Sequence, residues 1–145
     1  MADLTGIIRL RRFQLDEKRQ VLAGWHRFAD ELRADRARLE QSIAEEQLLA
    51  REASDPNTTI SFGAFVRAAL DRRKRIDESL AKIEAQIEAA TEEVREAFAD
   101  LKRFEQTQAE RRARENLKRA RAETAQLDEI GLEGYRRRSD QPAHR

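Results

Sequence analysis

Histidines, paired glutamates and arginine clusters are the side chains of this sequence best equipped for chemistry, and their spacing suits none. His26 sits beside Trp25 on a helical pattern and reads as a solvated surface imidazole, while His144 lies in a polar stretch after Pro142. Glu45-Glu46 and Glu92-Glu93 have no histidine three or four residues away, the spacing with which helices build carboxylate metal centres. No glycine-rich phosphate loop and no Gly-x-Ser-x-Gly elbow occurs. The absence of cysteine excludes a disulfide framework, thiolate metal ligation and thiol catalysis, and is compatible with a reducing cytosol. The expectation is a protein that is not an enzyme, with no cofactor and no metal.

Phosphate binding is the next chemistry to weigh. Basic clusters occur at Arg9-Arg11-Arg12, Arg111-Arg112-Arg114, Lys118-Arg119-Arg121 and Arg136-Arg137-Arg138. All but the last adjoin acids such as Asp16, Glu17, Glu110, Glu115 and Glu123, which weaken attraction to a polyanion. With 29 basic and 28 acidic residues the surface is a mixed field, and no nucleic-acid partner is expected. Arg136 to Arg138 suits an acidic protein surface better.

What remains is architecture. Charged residues make up 39% of the 145, aromatics only 6%, with five glycines and two prolines. Such a chain cannot fill a thick core; it is composed either for long helices sharing a narrow seam or for disorder. Periodicity decides for helices. In the first arm one heptad position holds Ile8, Leu15, Leu22, Ala29, Arg36, Ile43 and Ala50, and its companion Arg11, Lys18, Trp25, Leu32, Leu39, Glu46 and Ala53. Val21, Phe28 and Leu49 fall beside this seam and widen the apolar stripe, as in a helix serving more than one surface. The second arm is cleaner: Val66, Arg73, Leu80, Ile87, Val94 and Leu101, with Ala69, Ile76, Ile83, Ala90, Ala97 and Phe104.

Between the arms, Ser54-Asp55-Pro56 ends the first helix, because proline lacks a backbone donor and disfavours helix at the residue before it. Asn57, Thr58, Thr59 and Ser61 are all capable N-caps for the second. The expected fold class is all-α: a single long antiparallel two-helix coiled-coil hairpin spanning 1–145. Helix 1 is expected at about 3–52, the turn at about 53–60, helix 2 at about 61–137 and a flexible tail at 138–145.

The arms are unequal, and folding back from the turn places Leu4 opposite the neighbourhood of Ala109. After Phe104 the seam positions become Gln108, Arg111, Glu115 and Lys118, while Leu117 and Leu127 follow a shifted phase. The second helix therefore overhangs from about Glu110. Leu127, Ile130, Leu132 and Tyr135 ride on this overhang with no intramolecular core to join. At the bend, Phe62, Phe65 and Val66 face Leu48 and Leu49 and leave more apolar surface than hairpin closure needs. No apolar run approaches the roughly 18 residues that cross a bilayer, and Met1-Ala2-Asp3-Leu4 carries no secretory signal pattern, so a soluble cytoplasmic chain without direct membrane insertion is expected.

The stretches Ile8-Arg9-Leu10-Arg11-Arg12 through Leu15-Asp16-Glu17-Lys18-Arg19, and Arg121-Ala122-Glu123 through Leu127-Asp128-Glu129-Ile130, together with the hairpin proportions, resemble the FliJ family. These are small proteins of the bacterial flagellar type III export apparatus, shaped like the stalk subunit of rotary ATPases and not themselves ATPases. The resemblance implies that the end bearing the termini enters the pore of a hexameric export ATPase and stimulates it. It also implies that the hairpin contacts the cytoplasmic domain of the export-gate protein FlhA, and that export chaperones are bound and recycled. Leu127, Asp128, Glu129 and Ile130 then become the candidate ATPase contact, and Leu49, Phe65 and Ala69 the candidate gate contact. It places the chain in the cytoplasm, peripherally held at the inner membrane through the apparatus. Two other readings stay open on the residues alone: a self-associating structural coiled coil, and the equivalent stalk of a virulence type III secretion system.

Overall fold

The computed structural model describes residues 3–53 and 55–140. They form an all-α hairpin of two helices packed against each other, α1 (Thr5–Glu52) and α2 (Pro56–Ser139), with no strand among the described residues.

Helix ends follow local chemistry. α1 starts at Thr5 because the Asp3 carboxylate accepts from the Thr5 backbone N–H at 3.1 Å and from its hydroxyl at 2.6 Å, occupying the first turn's orphan donor. The turn corrects the sequence reading. None of Asn57, Thr58, Thr59 or Ser61 caps α2; Asp55 does, in extended conformation, accepting from Asn57 N–H at 3.1 Å. Pro56 is the first residue of α2, five residues earlier than expected, since at that position its missing N–H is no loss and its fixed φ already suits a helix. The reversal uses no positive φ among the described residues. At the far end α2 runs on to Ser139, so the first residues of the expected tail are helical; the expected tail from 141 onward, with His144, lies outside the described residues.

The seam is the one read from periodicity. Ile8, Leu15, Ala29, Ala69, Ile76, Ile83, Ala90 and Leu101 are buried. Most other seam residues are half-buried, while Glu46 stands exposed where α1 nears the bend. The best-packed section is at the open end, where Ile8, Leu15 and Leu101 are joined by Leu4, Val94, Ala97 and Phe104. Charged seam residues keep their head groups at the edge. The Arg11 guanidinium lies 5.4 Å from the Phe104 ring centroid, Lys18 reaches Glu93 at 3.1 Å, and Arg36 Nε lies 2.8 Å from Asp77 Oδ1. Gln108 Nε2 donates to Thr5 Oγ1 at 3.3 Å, within a residue of the pairing that sets Leu4 opposite Ala109.

Candidate interaction surfaces

Where α1 ends, α2 continues alone. The Thr5–Gln108 hydrogen bond joins the two helices near the open end, and beyond it Arg112 still adds to the field at Asp3. Thr5's two hydrogen bonds, chiefly, hold the Asp3 carboxyl below its usual range, with Arg112 contributing less. Glu105, one turn back, is held low foremost by Lys102, whose Nζ donates to it at 3.1 Å, and then by Arg12 at 3.2 Å. From Arg112 to Ser139 every residue is exposed apart from the partly covered Gly134. From Ala113 to Ser139 this spike measures about 40 Å, at about 1.5 Å rise per residue.

All four residues of the Leu127-Asp128-Glu129-Ile130 tetrad lie on the spike and are exposed, Leu127 by 68% and Ile130 by 64%. They do not form one surface. At about 100° per residue, Leu127 and Ile130 share a face while Asp128 and Glu129 turn away from it. Leu117 and Tyr135 extend the Leu127–Ile130 stripe within less than half the helix circumference, and Leu132 lies outside it.

The bend offers a second surface. Leu48, Leu49, Ile60, Phe65 and Leu70 are exposed, and Phe62 and Val66 are half-buried in closing the hairpin. Of the residues singled out for a gate contact, Leu49 and Phe65 lie on one edge of the rod by register and are accessible. Ala69 is a seam residue only 4% exposed, so it sets how closely the helices approach and offers a partner almost nothing. Ile60, the most exposed large side chain of the bend, has no counterpart in the periodic pattern that could have flagged it.

The long edges of the rod differ. One edge is laced by ion pairs: Arg12–Glu105, Arg33–Glu84 at 3.9 Å, and a cluster in which Arg36 meets Asp77 and Glu40 while Arg73 meets Glu40 at 3.9 Å. The other carries Ile7, Leu10, Val21 and Phe28 of α1, all exposed. Val21 and Phe28 were legible as residues beside the seam. Ile7 joins Val21 and Phe28 at multiples of seven and Leu10 stands three residues beyond Ile7, a second stripe interrupted by Gln14 and Glu17.

Depressions among the described residues are open, whether between the helices, as at Thr5, Arg9, Arg12, Glu105 and Arg112, or along α2 alone, as at Leu70, Lys74 and Glu78. No group of three or more His, Cys, Asp or Glu residues that could hold a metal occurs among the described residues. No helix among them is long and apolar enough to cross a membrane. What the molecule presents instead is an apolar stripe on a bare helix, an apolar bend and a rigid rod between them.

The model of one protein family, described as Flagellar FliJ protein, matches residues 1–140. No curated protein and no solved structure matches the chain.

Proposed function

The chain belongs to the FliJ family, components of the flagellar export apparatus, and from that membership we propose that it is a non-enzymatic stalk whose bare α2 helix enters and stimulates a hexameric export ATPase. The observation carrying this reading is the extent of α2: from Ala113 to Ser139 every residue but Gly134 is exposed, yet this stretch bears Leu117, Leu127, Ile130 and Tyr135 along one face. A hollow assembly that encloses a single helix is the partner such a spike suits. Leu127 and Ile130 supply the apolar contact, and Asp128 and Glu129, turned to other faces, meet polar or basic groups of the ring wall. The bend, through Leu49 and Phe65, engages the export gate, so the rod joins the two at a fixed separation. Export chaperones bind the same component, and its place is the cytoplasmic face of the inner membrane, held there through the apparatus.

An isolated helix in water is marginally stable, so part of the insertion energy goes into holding the spike ordered. That lowers affinity and keeps the contact reversible, as a cycling export component requires. The test is deletion of residues after Arg121. Stimulation of the cognate ATPase is expected to disappear while the hairpin stays folded by circular dichroism; full stimulation by the truncated chain refutes the assignment.

A further inference from the structure

The spike and the free edge of α1 match each other. At about 100° per residue, Leu117 and Tyr135 share one line of the spike stripe with Leu127 about 80° round from them, and Leu10, Val21 and Phe28 line the α1 edge. In one parallel register, Leu117 meets Leu10, Leu127 meets Val21, Tyr135 meets Phe28, and Gly131 meets Gly24, all within a single residue of a constant offset. The lengths agree as well. The edge from Ile7 to Phe28 runs about 32 Å, which the spike's about 40 Å covers.

Between the apolar contacts the net charges are opposite. The groove beside the edge, between Leu10 and Val21, is bounded by Glu17, Glu93, Glu96 and Asp100, with Arg11 and Lys18 drawn in against Phe104 and Glu93. The spike over the same interval, between Leu117 and Leu127, carries Lys118, Arg119 and Arg121 against one acid, Glu123; Arg119 and Arg121 lie on the two flanks of its stripe and Glu123 on the stripe itself.

A spike pointing away from its own hairpin cannot fold back along that hairpin's edge without breaking α2, so the edge belongs to a second molecule. We propose that two copies of this chain associate about a two-fold axis, each laying its spike along the Ile7–Phe28 edge of the other. The axial geometry closes. With the open ends side by side and the copies pointing in opposite directions, each spike runs parallel to the partner copy's α1 and antiparallel to its α2. The result is a three-helix bundle on either side of the axis. Because both spikes are used, assembly stops at the dimer rather than growing into a filament. The dimer hides the stripe offered to the ATPase ring, so self-association and ring insertion compete, and the free rod is stored with its apolar helix covered. The self-association stands on its own complementarity and does not depend on the ATPase reading.

The test is sedimentation velocity of the full chain from low to high micromolar concentration, beside Val21→Asp and Phe28→Asp. The parent chain is expected to shift reversibly from monomer to dimer, and each substitution to raise the dissociation constant at least about tenfold. Because the chain has no cysteine, a mixture of Val21→Cys and Leu127→Cys chains reads the contact directly. Oxidation should join them to each other, and an Ala23→Cys chain, whose side chain points off the edge, should not join to Leu127→Cys. A chain that stays monomeric throughout, a dimer indifferent to both aspartates, or equal cross-linking at Ala23 overturns the proposal. Loss of ATPase stimulation on truncation is measured separately, so either idea can fail alone.

Discussion

Leu15 and Leu127 are the same residue type on the same hairpin, and the structure assigns them opposite consequences when cut to alanine. Leu15 is 3% exposed and packs within the cluster of Ile8 and Leu101, flanked by Val94, Ala97 and Phe104. Removing its branched end deletes buried methyl groups and leaves a void. A two-helix rod is open along both edges, so water can enter that void, which places the cost at the low end of the leucine-to-alanine range, about 2–3 kcal/mol. Leu127 is 68% exposed, so its truncation should stay within about 0.5 kcal/mol, as for other surface sites. Trp25, the chain's one tryptophan, occupies a half-buried seam position of α1, so its fluorescence reports on the hairpin and not on the spike. Urea titration by Trp25 fluorescence should show a clear loss of stability for Leu15→Ala and none for Leu127→Ala. The ATPase assay should reverse the order: Leu127→Ala weakens stimulation, and Leu15→Ala retains it under conditions where the hairpin is folded. Equal destabilisation by the two substitutions would refute the reasoning, because it would mean the spike packs against its own chain.

Asp55→Ala removes the carboxylate that caps α2 and should lower stability by about 1 kcal/mol in the same titration, whereas Thr58→Ala should have little effect. Gly131→Ala and Gly134→Ala meet no obstruction beyond the far end of Arg138, and each should favour helix by up to about 1 kcal/mol; circular dichroism of the spike should rise with the Trp25 midpoint unchanged. Asp3 and Glu105 have lowered carboxyl pKa values in the folded hairpin, so their contribution is present above the ordinary carboxylate range and is lost as pH falls through the lowered values. Asp3 is exposed and Glu105 only half-buried, so the loss of stability on acidification should be small, and it should diminish in an Asp3→Asn, Glu105→Gln double variant.

The hairpin was legible because burial in a two-helix rod depends on one variable, the angular position of each residue. Ala69, Ile76, Ile83 and Ala90 recur at heptad spacing, and each is buried. The overhang was legible by counting from the turn. The cap was not, because Pro56 both stops one helix and begins the next, and which residue caps α2 depends on whether the Asp55 carboxylate reaches Asn57 N–H. Ala69 shows the limit for surfaces: the heptad pattern places it in the seam, whereas the family resemblance proposes it as a contact, and a residue 4% exposed serves the first role far better than the second. The Ile7–Phe28 row was visible only in part, since its members lie one position off a seam that had already accounted for their neighbours.

Charged residues in the seam have a consequence for the length of the spike. Arg36 and Arg73 occupy core positions where leucine would bury more apolar surface, and their ion pairs with Asp77 and Glu40 are half-exposed, so they add little stability. They discriminate against one direction of slip. Sliding α2 by one heptad toward the open end would put Leu70, Val66 and Gln86 where Asp77, Arg73 and Glu93 stand and lose all three pairs together, whereas the opposite slide would bring Glu84 to Arg36 and Asp100 to Lys18. Such a slip would change the length of the bare helix by about 10 Å, at about 1.5 Å per residue. Leu127 and Ile130 would move by that distance relative to the open end, enough to miss a fixed receptor. Polar residues at core positions, a recognised means of fixing coiled-coil register at some cost in stability, here set where the apolar stripe stands.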